Sequence, residues 1–306
     1  MPTARPCRTE LAVPASNFRF IARAATSPAD EIMLDLEDGV APAARPEART
    51  NIVKALNEID WGSRIRAVRV NDVRTQWFYQ DLIAVVEGAG AHLDAIILPK
   101  VNRPEDVYML DMLLHQIEAA MGLAGRIGIE AQIETAEGMA NVEAIARASP
   151  RLETLIFGPG DYAASIGMPI LRIGGHDFDY PGHLWHAALS RIVVAAKAAG
   201  LEALDGPYGA YHDTEGLRTS ARLARALGCD GKWAIHPAQL DPINQIFSPT
   251  EAELSEARRL HDRYMRALGD EQTGAITLGG ELIDAASLRL AERILARGRA
   301  AGMLGE

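Results

Sequence analysis

Eight short apolar runs, each leading into a longer amphipathic stretch, predict an α/β fold: a closed (β/α)8 barrel with a C-terminal helical extension carrying a lid. The apolar runs fall at residues 11–16, 31–38, 64–71, 95–101, 127–135, 154–161, 201–206 and 231–236. They are rich in Val, Ile and Leu, as strands covered on both faces require. Amphipathic stretches at 18–25, 46–58, 77–89, 104–121, 136–148, 184–199 and 215–227 separate them, and a further helix begins near Pro237. Strand-then-helix alternation gives a parallel sheet joined by crossover helices. Eight such units in 306 residues fit a closed barrel, with some chain left over. A doubly wound open sheet is the structural alternative. No GxGxxG follows the first run, which argues against a dinucleotide-binding turn.

Taken in order, nearly every run ends in a reactive side chain. The second ends in Asp35, Glu37 and Asp38, the third in Arg69 and Asn71, the fourth in Lys100 and the fifth in Glu134. The sixth ends in Asp161, the seventh in Asp205 and the eighth in His236. A Gly-, Pro- and Asp-rich segment at 168–182 follows the sixth and is expected over the barrel mouth. Beyond the eighth unit come an acidic-to-basic helix at 250–268, a Gly-rich connector at 269–280 and a helix at about 285–299. Residues 1–249 thus read as the catalytic barrel, and 250–306 as a helical extension with a lid segment.

Composition narrows the chemistry. The two cysteines, Cys7 and Cys229, have no CxxC spacing, which argues against a thiolate metal site and suits a reducing cytoplasm. No stretch resembles a signal peptide or a membrane span. Net charge is −10, so neither nucleic acid nor a membrane is expected as partner. An anionic small-molecule substrate would need cations supplied locally, by arginines and a carboxylate-bound metal.

Chemistry in such barrels sits at the C-terminal ends of the strands. A charge at one strand end is ordinarily a solvated exit from the sheet; many converging on one rim are what a polar site requires. Glu134 and Asp161, at the ends of adjacent runs, suit a hard divalent cation such as Mg2+. Asp161 is alternatively a helix cap, a role that fits Glu134 poorly. Arg69 can hold a carboxylate or a developing oxyanion, or pair with Glu37 or Asp38. Glu37 and Asp38 are themselves candidate catalytic residues. Lys100 can be a Schiff-base lysine or a partner of Asp35 or Glu37. His236 can be an acid–base group or a hydrogen-bonded rim residue. Trp185, His183 and His186 lack zinc-site spacing and are assigned to packing.

The runs LAVPASNFRFIARA, EIMLDLEDGVAP, RAVRVN, AIILPKV, QIETAEGMANVEAIARASPRLETLIFGPGDYAAS, LEALDGPY, ALGCDGKWAIHPAQL and GAITLGGELIDAASLRLAERIL cover nearly the whole chain. In that order they resemble the HpcH/HpaI aldolase/citrate lyase (citrate lyase β-subunit-like) family. The resemblance implies a TIM barrel, Mg2+ (with Mn2+ as alternative), coenzyme A as part of the substrate, and a homotrimer or homohexamer. It places metal ligands at Glu134 and Asp161, an oxyanion arginine at Arg69, and keto-acid contacts at Gly160 and Asp161. Thioester contacts fall near Arg23, Ile235 and His236. A catalytic acid falls at Asp284, in a lid reaching a neighbouring subunit; Asp284 can equally be the N-cap of the last helix. The chain departs from the family pattern at Ala15, where glycine is usual, and near Asn17, where a basic residue is usual; both touch the coenzyme A entrance.

The implied reaction is a reversible Claisen-type cleavage of a 2-hydroxyacyl-CoA, such as malyl-CoA or β-methylmalyl-CoA. Its products are a 2-keto acid such as glyoxylate and acetyl-CoA or propionyl-CoA. The rivals are a citryl or citramalyl thioester lyase subunit working with an acyl carrier protein, a metal-dependent 2-keto-3-deoxy acid aldolase, and a catalytically silent acyl-CoA binder.

Overall fold

A computed structural model describes residues 5–123, 126–170, 182–270 and 274–304. Eight parallel strands close into one barrel in sequence order: β1 (Thr9–Pro14), β2 (Glu31–Asp35), β3 (Ile65–Arg69), β4 (Ala95–Leu98), β5 (Gly128–Ile133), β6 (Leu152–Phe157), β7 (Glu202–Asp205) and β8 (Gly231–Ala234), with β8 returning to β1. β2, β4, β5, β6 and β8 are buried along their whole length, which is why they read as unbroken runs. The fold is the (β/α)8 TIM barrel. Met33, Ala67, Ala95, Ile97, Ile156, Leu204 and Trp233 pack together in its core.

The helices are α1 (Phe18–Ala24), α2 (Arg45–Glu58), α3 (Phe78–Ala89), α4 (Pro104–Met121), α5 (Ala136–Ala140), α6 (Val142–Ile145), α7 (Pro159–Ser165), α8 (His186–Ala199), α9 (Thr214–Leu227) and α10 (Leu240–Phe247). Asn17 caps α1, Thr135 caps α5 and Asp213 caps α9, each accepting backbone N–H groups of the first turn. The barrel wall is tied to α4 by Arg151, whose guanidinium donates to Asp111 and Glu118 at 2.6 Å each. None of the described helices is long and apolar enough to cross a membrane.

Several boundaries differ from those predicted, for identifiable reasons. The strand predicted over 31–38 stops at Asp35, because the Asp35 carboxylate accepts the N–H groups of Glu37 (2.9 Å) and Gly39 (2.8 Å) and turns the chain out of the sheet. The strand predicted over 154–161 stops at Phe157. Pro159, preset for the first helical position, starts α7 there, so Asp161 sits in a helical first turn rather than on a strand. The helix predicted over 136–148 is two helices with Asn141 between them, its side chain donating to the Asn102 carbonyl at 2.9 Å. Most of the segment 168–182 lies outside the described residues.

Contact density divides the chain into residues 1–244 and 245–306. The second unit holds α11 (Glu251–Asp270), the hairpin β9 (Ile276–Leu278) and β10 (Glu281–Ile283), and α12 (Ala285–Ala300). Leu254 and Ala257 of α11 pack on Ala291 and Leu295 of α12, while Tyr264 and Ala267 cover Ile276 and Ile283 of the hairpin. The C-terminal part of the stretch read as a Gly-rich connector, residues 276–280, is therefore a strand and turn of this hairpin. Gly279 and Gly280 form its two-residue turn, both with positive φ (63° and 89°), the geometry that joins twisted antiparallel strands.

Candidate active site

The rim is organised from β2 and β3 outward. Parallel register sets Asp35 beside Arg69, at the ends of neighbouring strands. Arg69 donates from Nε and Nη2 to the two oxygens of Asp35 at 2.7 and 2.8 Å, and its Nη1 lies 3.2 Å from Glu37 Oε2. Its guanidinium also lies over the Trp233 ring, 5.1 Å from the centroid. Burial works against the charge of Arg69, but the carboxylates of Asp35, Glu37 and Glu134 more than offset it and raise the pKa above arginine's ordinary value. For Asp35 burial is likewise outweighed, here by the Arg69 charge and the hydrogen bonds it accepts, and the carboxyl is held below its usual range. The pair is thus fully ionised and locked in a forked geometry.

Lys100 joins the two halves of the site. Among the described residues it is the one non-glycine with positive φ, 52°. That turn aims its N–H at Glu134 Oε1 (2.7 Å) and sends its ammonium to Glu37, to Asp38 Oδ2 (3.5 Å) and to Asp161 Oδ2 (3.3 Å). Backbone held in this sparsely populated region marks a position that its surroundings over-determine, commonly at functional sites. Burial disfavours the ammonium, yet Glu134 and Glu37 raise its pKa, so a neutral Schiff-base amine is not what this setting favours.

Glu134, just past β5, is buried, whereas the Asp161 side chain in the first turn of α7 is 41 % exposed. Thr135 takes the capping role on α5, leaving Glu134 to face the rim. Burial, then the negative charge of Glu37, push the Glu134 carboxyl up to about 8 despite Lys100 and Arg69. Its Oε2 takes no hydrogen bond among the described residues and lies against Gly158, where a Cβ would come within 2.2 Å. Oε2 of Glu37, paired by charge with Arg69 Nη1 at 3.2 Å, is buried and accepts no well-directed hydrogen bond among the described residues. These all-oxygen donors, one of them buried with an unused oxygen beside a backbone that only glycine permits, fit a hard divalent cation at Glu134 and Asp161.

The remaining sequence candidates have the following surroundings. Gly160 adjoins Asp161 in α7. Arg23 is exposed on α1, and Ile235 is exposed just beyond β8. His236 is exposed, accepts the Ala238 N–H at Nδ1 and stacks on Tyr211, with 4.9 Å between ring centroids. Asp205 is buried against Lys232 and serves the barrel wall rather than the rim cluster. Asp284, fully exposed, caps α12 by accepting the N–H groups of Ala286 (2.9 Å) and Ser287 (3.1 Å), which hold its carboxyl below the usual range. Sequence reasoning overlooked Asp35 as the anchor of Arg69, although both end consecutive strands. It gave Lys100 a pairing with Glu37, which the structure shows, but not its reach to Glu134 and Asp161.

A (β/α)8 barrel with acidic oxygen donors and a fixed arginine gathered at its C-terminal rim has the architecture of a barrel enzyme. The chain belongs to the HpcH/HpaI aldolase/citrate lyase family, whose model matches residues 8–237. It is 41 % identical over 303 residues to the L-malyl-CoA/beta-methylmalyl-CoA lyase of Cereibacter sphaeroides, covering 96 % of this chain and 95 % of that one. A (3S)-malyl-CoA thioesterase from the same species is 36 % identical over 298 residues, covering 97 % and 96 %. Among solved structures, the protein CitE of Mycobacterium tuberculosis in complex with magnesium, acetoacetate and coenzyme A superposes with a TM-score of 0.75 at 31 % identity, covering 98 % of this chain and 100 % of that one.

Proposed function

We propose that the chain is a Mg2+-dependent carbon–carbon lyase that reversibly cleaves a 2-hydroxyacyl-CoA of the malyl-CoA or β-methylmalyl-CoA type to glyoxylate and acetyl-CoA or propionyl-CoA. The observation that carries this reading is the meeting of Glu134, Asp161, Arg69 and Lys100 at one rim, in a chain similar along nearly all its length to such a lyase. Glu134 and Asp161 would hold the metal, which would supply Lewis-acid polarisation to the oxygens of the 2-hydroxy acid. Arg69, fixed by Asp35, presents its remaining donor edge to the oxygen that gains charge as the carbon–carbon bond breaks. The hydroxyl proton leaves and the hydroxyl carbon becomes the keto carbon as that bond's electron pair moves to the carbon α to the thioester carbonyl, giving the thioester enolate. Asp38, its side chain exposed beside Lys100, is the carboxylate positioned to take that proton, while Glu37 holds Arg69 and Lys100 in place. Ile235, His236 and Arg23 present the exposed surface for the coenzyme A moiety.

The enolate must then be protonated at carbon. We assign this to Asp284 of a second copy within a homotrimer or homohexamer. Within its own helix Asp284 is an N-cap, and Asp284→Asn separates the two roles, because asparagine caps as well as aspartate. The variant should keep its melting temperature while hydrogen exchange into the acyl-CoA methyl group slows about 100-fold or more. Mixed oligomers of Asp284→Asn and Glu134→Gln chains should regain activity through sites with both residues intact. Exchange at the normal rate in Asp284→Asn removes the residue from the mechanism.

The function itself is tested with purified protein, Mg2+ and a panel of malyl-, β-methylmalyl-, citramalyl- and citryl-CoA, with products identified by mass spectrometry. A keto acid and an acyl-CoA in equal amounts are expected from malyl- or β-methylmalyl-CoA. Free malate with coenzyme A would place the chain with its thioesterase relative. Turnover only of a 2-keto-3-deoxy acid, or only of a thioester on an acyl carrier protein, would select the corresponding rival.

A further inference from the structure

A second group of acids lies inside the barrel. Glu10 of β1, Glu31 of β2 and Glu130 of β5 each offer a carboxylate oxygen, and these oxygens all lie within 4.8 Å of one another. Glu10 pairs in register with Glu31, and all three residues are almost wholly buried. Alternation along the strands points them inward: Met33, two residues past Glu31, belongs to the barrel core, and Ala12, two past Glu10, packs against it. Glu134 lies four residues beyond Glu130, roughly 13 Å along the chain at about 3.3 Å per residue, so this group is separate from the rim site.

The group is only partly satisfied: Glu31 hydrogen-bonds Cys7 and Glu130. Among the described residues, both oxygens of Glu10, Oε1 of Glu31 and Oε2 of Glu130 are buried without a hydrogen-bond donor. Gln132 shares the inward face of β5 with Glu130; it is 0 % exposed, and neither its Oε1 nor its Nε2 has a partner among the described residues. The buried Nε1 of Trp233, in register with Glu10, likewise has none among them. The positive charges that reach these acids are committed elsewhere, Arg69 to Asp35 and Glu37, and Arg5 to Glu153 at 2.7 Å. Buried polar atoms are almost always satisfied, by protein, water or an ion, and buried charges are paired.

We propose that Glu10, Glu31 and Glu130 bind a divalent cation inside the barrel, with the Gln132 amide facing its hydration shell. Carboxylate and amide oxygens are the donors of Mg2+, Mn2+ and Ca2+. Left without a counter-charge, burial raises the carboxyls of all three, Glu10 to about 8, with Glu31 and Glu130 raised further by their acidic neighbours. Protons on the carboxyls would neutralise the group and let the acids bond one another, as Glu31 and Glu130 do, but would leave the Gln132 amide without a partner among the described residues. One hydrated cation serves the carboxylates directly and the amide and indole through water. Such an ion links β1, β2 and β5 across the barrel and stabilises the fold by binding only the native state.

The test counts metal. Protein prepared in the presence of Mg2+, Mn2+ and Ca2+ is dialysed against a chelator, and the retained ions are measured by plasma mass spectrometry. About one divalent ion per chain should remain, both in the wild type and in a Glu134→Gln/Asp161→Asn variant that lacks the rim ligands. Glu10→Gln/Glu130→Gln should retain less than about a tenth of that. A wild-type chain stripped below about a tenth of an ion overturns the proposal, whether or not the lumen variant folds. So does infrared absorption by protonated carboxylic acids in the wild type that disappears in Glu10→Gln, because the acids would then hold protons instead of a cation.

Discussion

Glu134→Gln is expected to abolish Mg2+-dependent turnover while leaving the fold intact. The substitution keeps the shape of the side chain and an oxygen able to accept the Lys100 N–H, the one hydrogen bond Glu134 makes among the described residues. It removes a negative charge that burial and Glu37 disfavour, and with it the attraction to Lys100 and Arg69, each of which keeps other carboxylate partners. The amide oxygen is a much weaker ligand than a carboxylate, and a Lewis acid at such a centre supplies several kcal/mol of transition-state stabilisation. Turnover should therefore fall about 1,000-fold or more. Calorimetric titration with Mg2+ should show weakened binding, with an unchanged melting temperature in the absence of metal. Full activity in chelator-treated wild-type protein, or near-normal turnover in Glu134→Gln, sinks the rim-metal mechanism.

The sequence was legible where one physical signal dominated. Strands buried on both faces leave continuous apolar runs, and barrel chemistry collects at their C-terminal ends, so position alone singles out Arg69, Lys100 and Glu134 as candidates at the rim. Legibility failed where a local signal competed with the run. Pro159 turns a strand into α7 and moves Asp161 onto a helix, where it reaches Lys100. The pair Gly279–Gly280 reads as slack chain, yet it is the turn of a hairpin. The positive φ of Lys100 left no trace in the sequence, because lysine is not a residue that marks such backbone. The acids within the lumen were overlooked for a related reason. Glu10, Glu130 and Gln132 interrupt apolar strands, and interior-facing polar residues in a strand read as solvent-facing until closure of the barrel shows which face is enclosed.

Arg69→Lys should lower kcat by on the order of 100-fold or more while changing substrate affinity far less. Lysine retains the charge but not the fork: one ammonium cannot engage both Asp35 oxygens and still aim a second donor at the substrate. Asp35 and Glu37 would keep a positive neighbour, so the variant should fold, with a modest drop in melting temperature from the lost bidentate geometry. The ratio of the two effects decides the role. If Arg69 were only a buried ion-pair partner, stability would fall and kcat, measured on the folded fraction, would stay near normal. If it stabilises charge that develops as the carbon–carbon bond breaks, kcat and kcat/KM should fall together, because that interaction is absent from the ground state. Asp35→Asn supplies the complementary measurement. It leaves the guanidinium in place but unlocks it, so it should cost part of the same rate without removing the charge. An Asp35→Asn enzyme with wild-type kcat would show that the fork's rigidity is dispensable, and a normal kcat in Arg69→Lys would remove the arginine from the reaction.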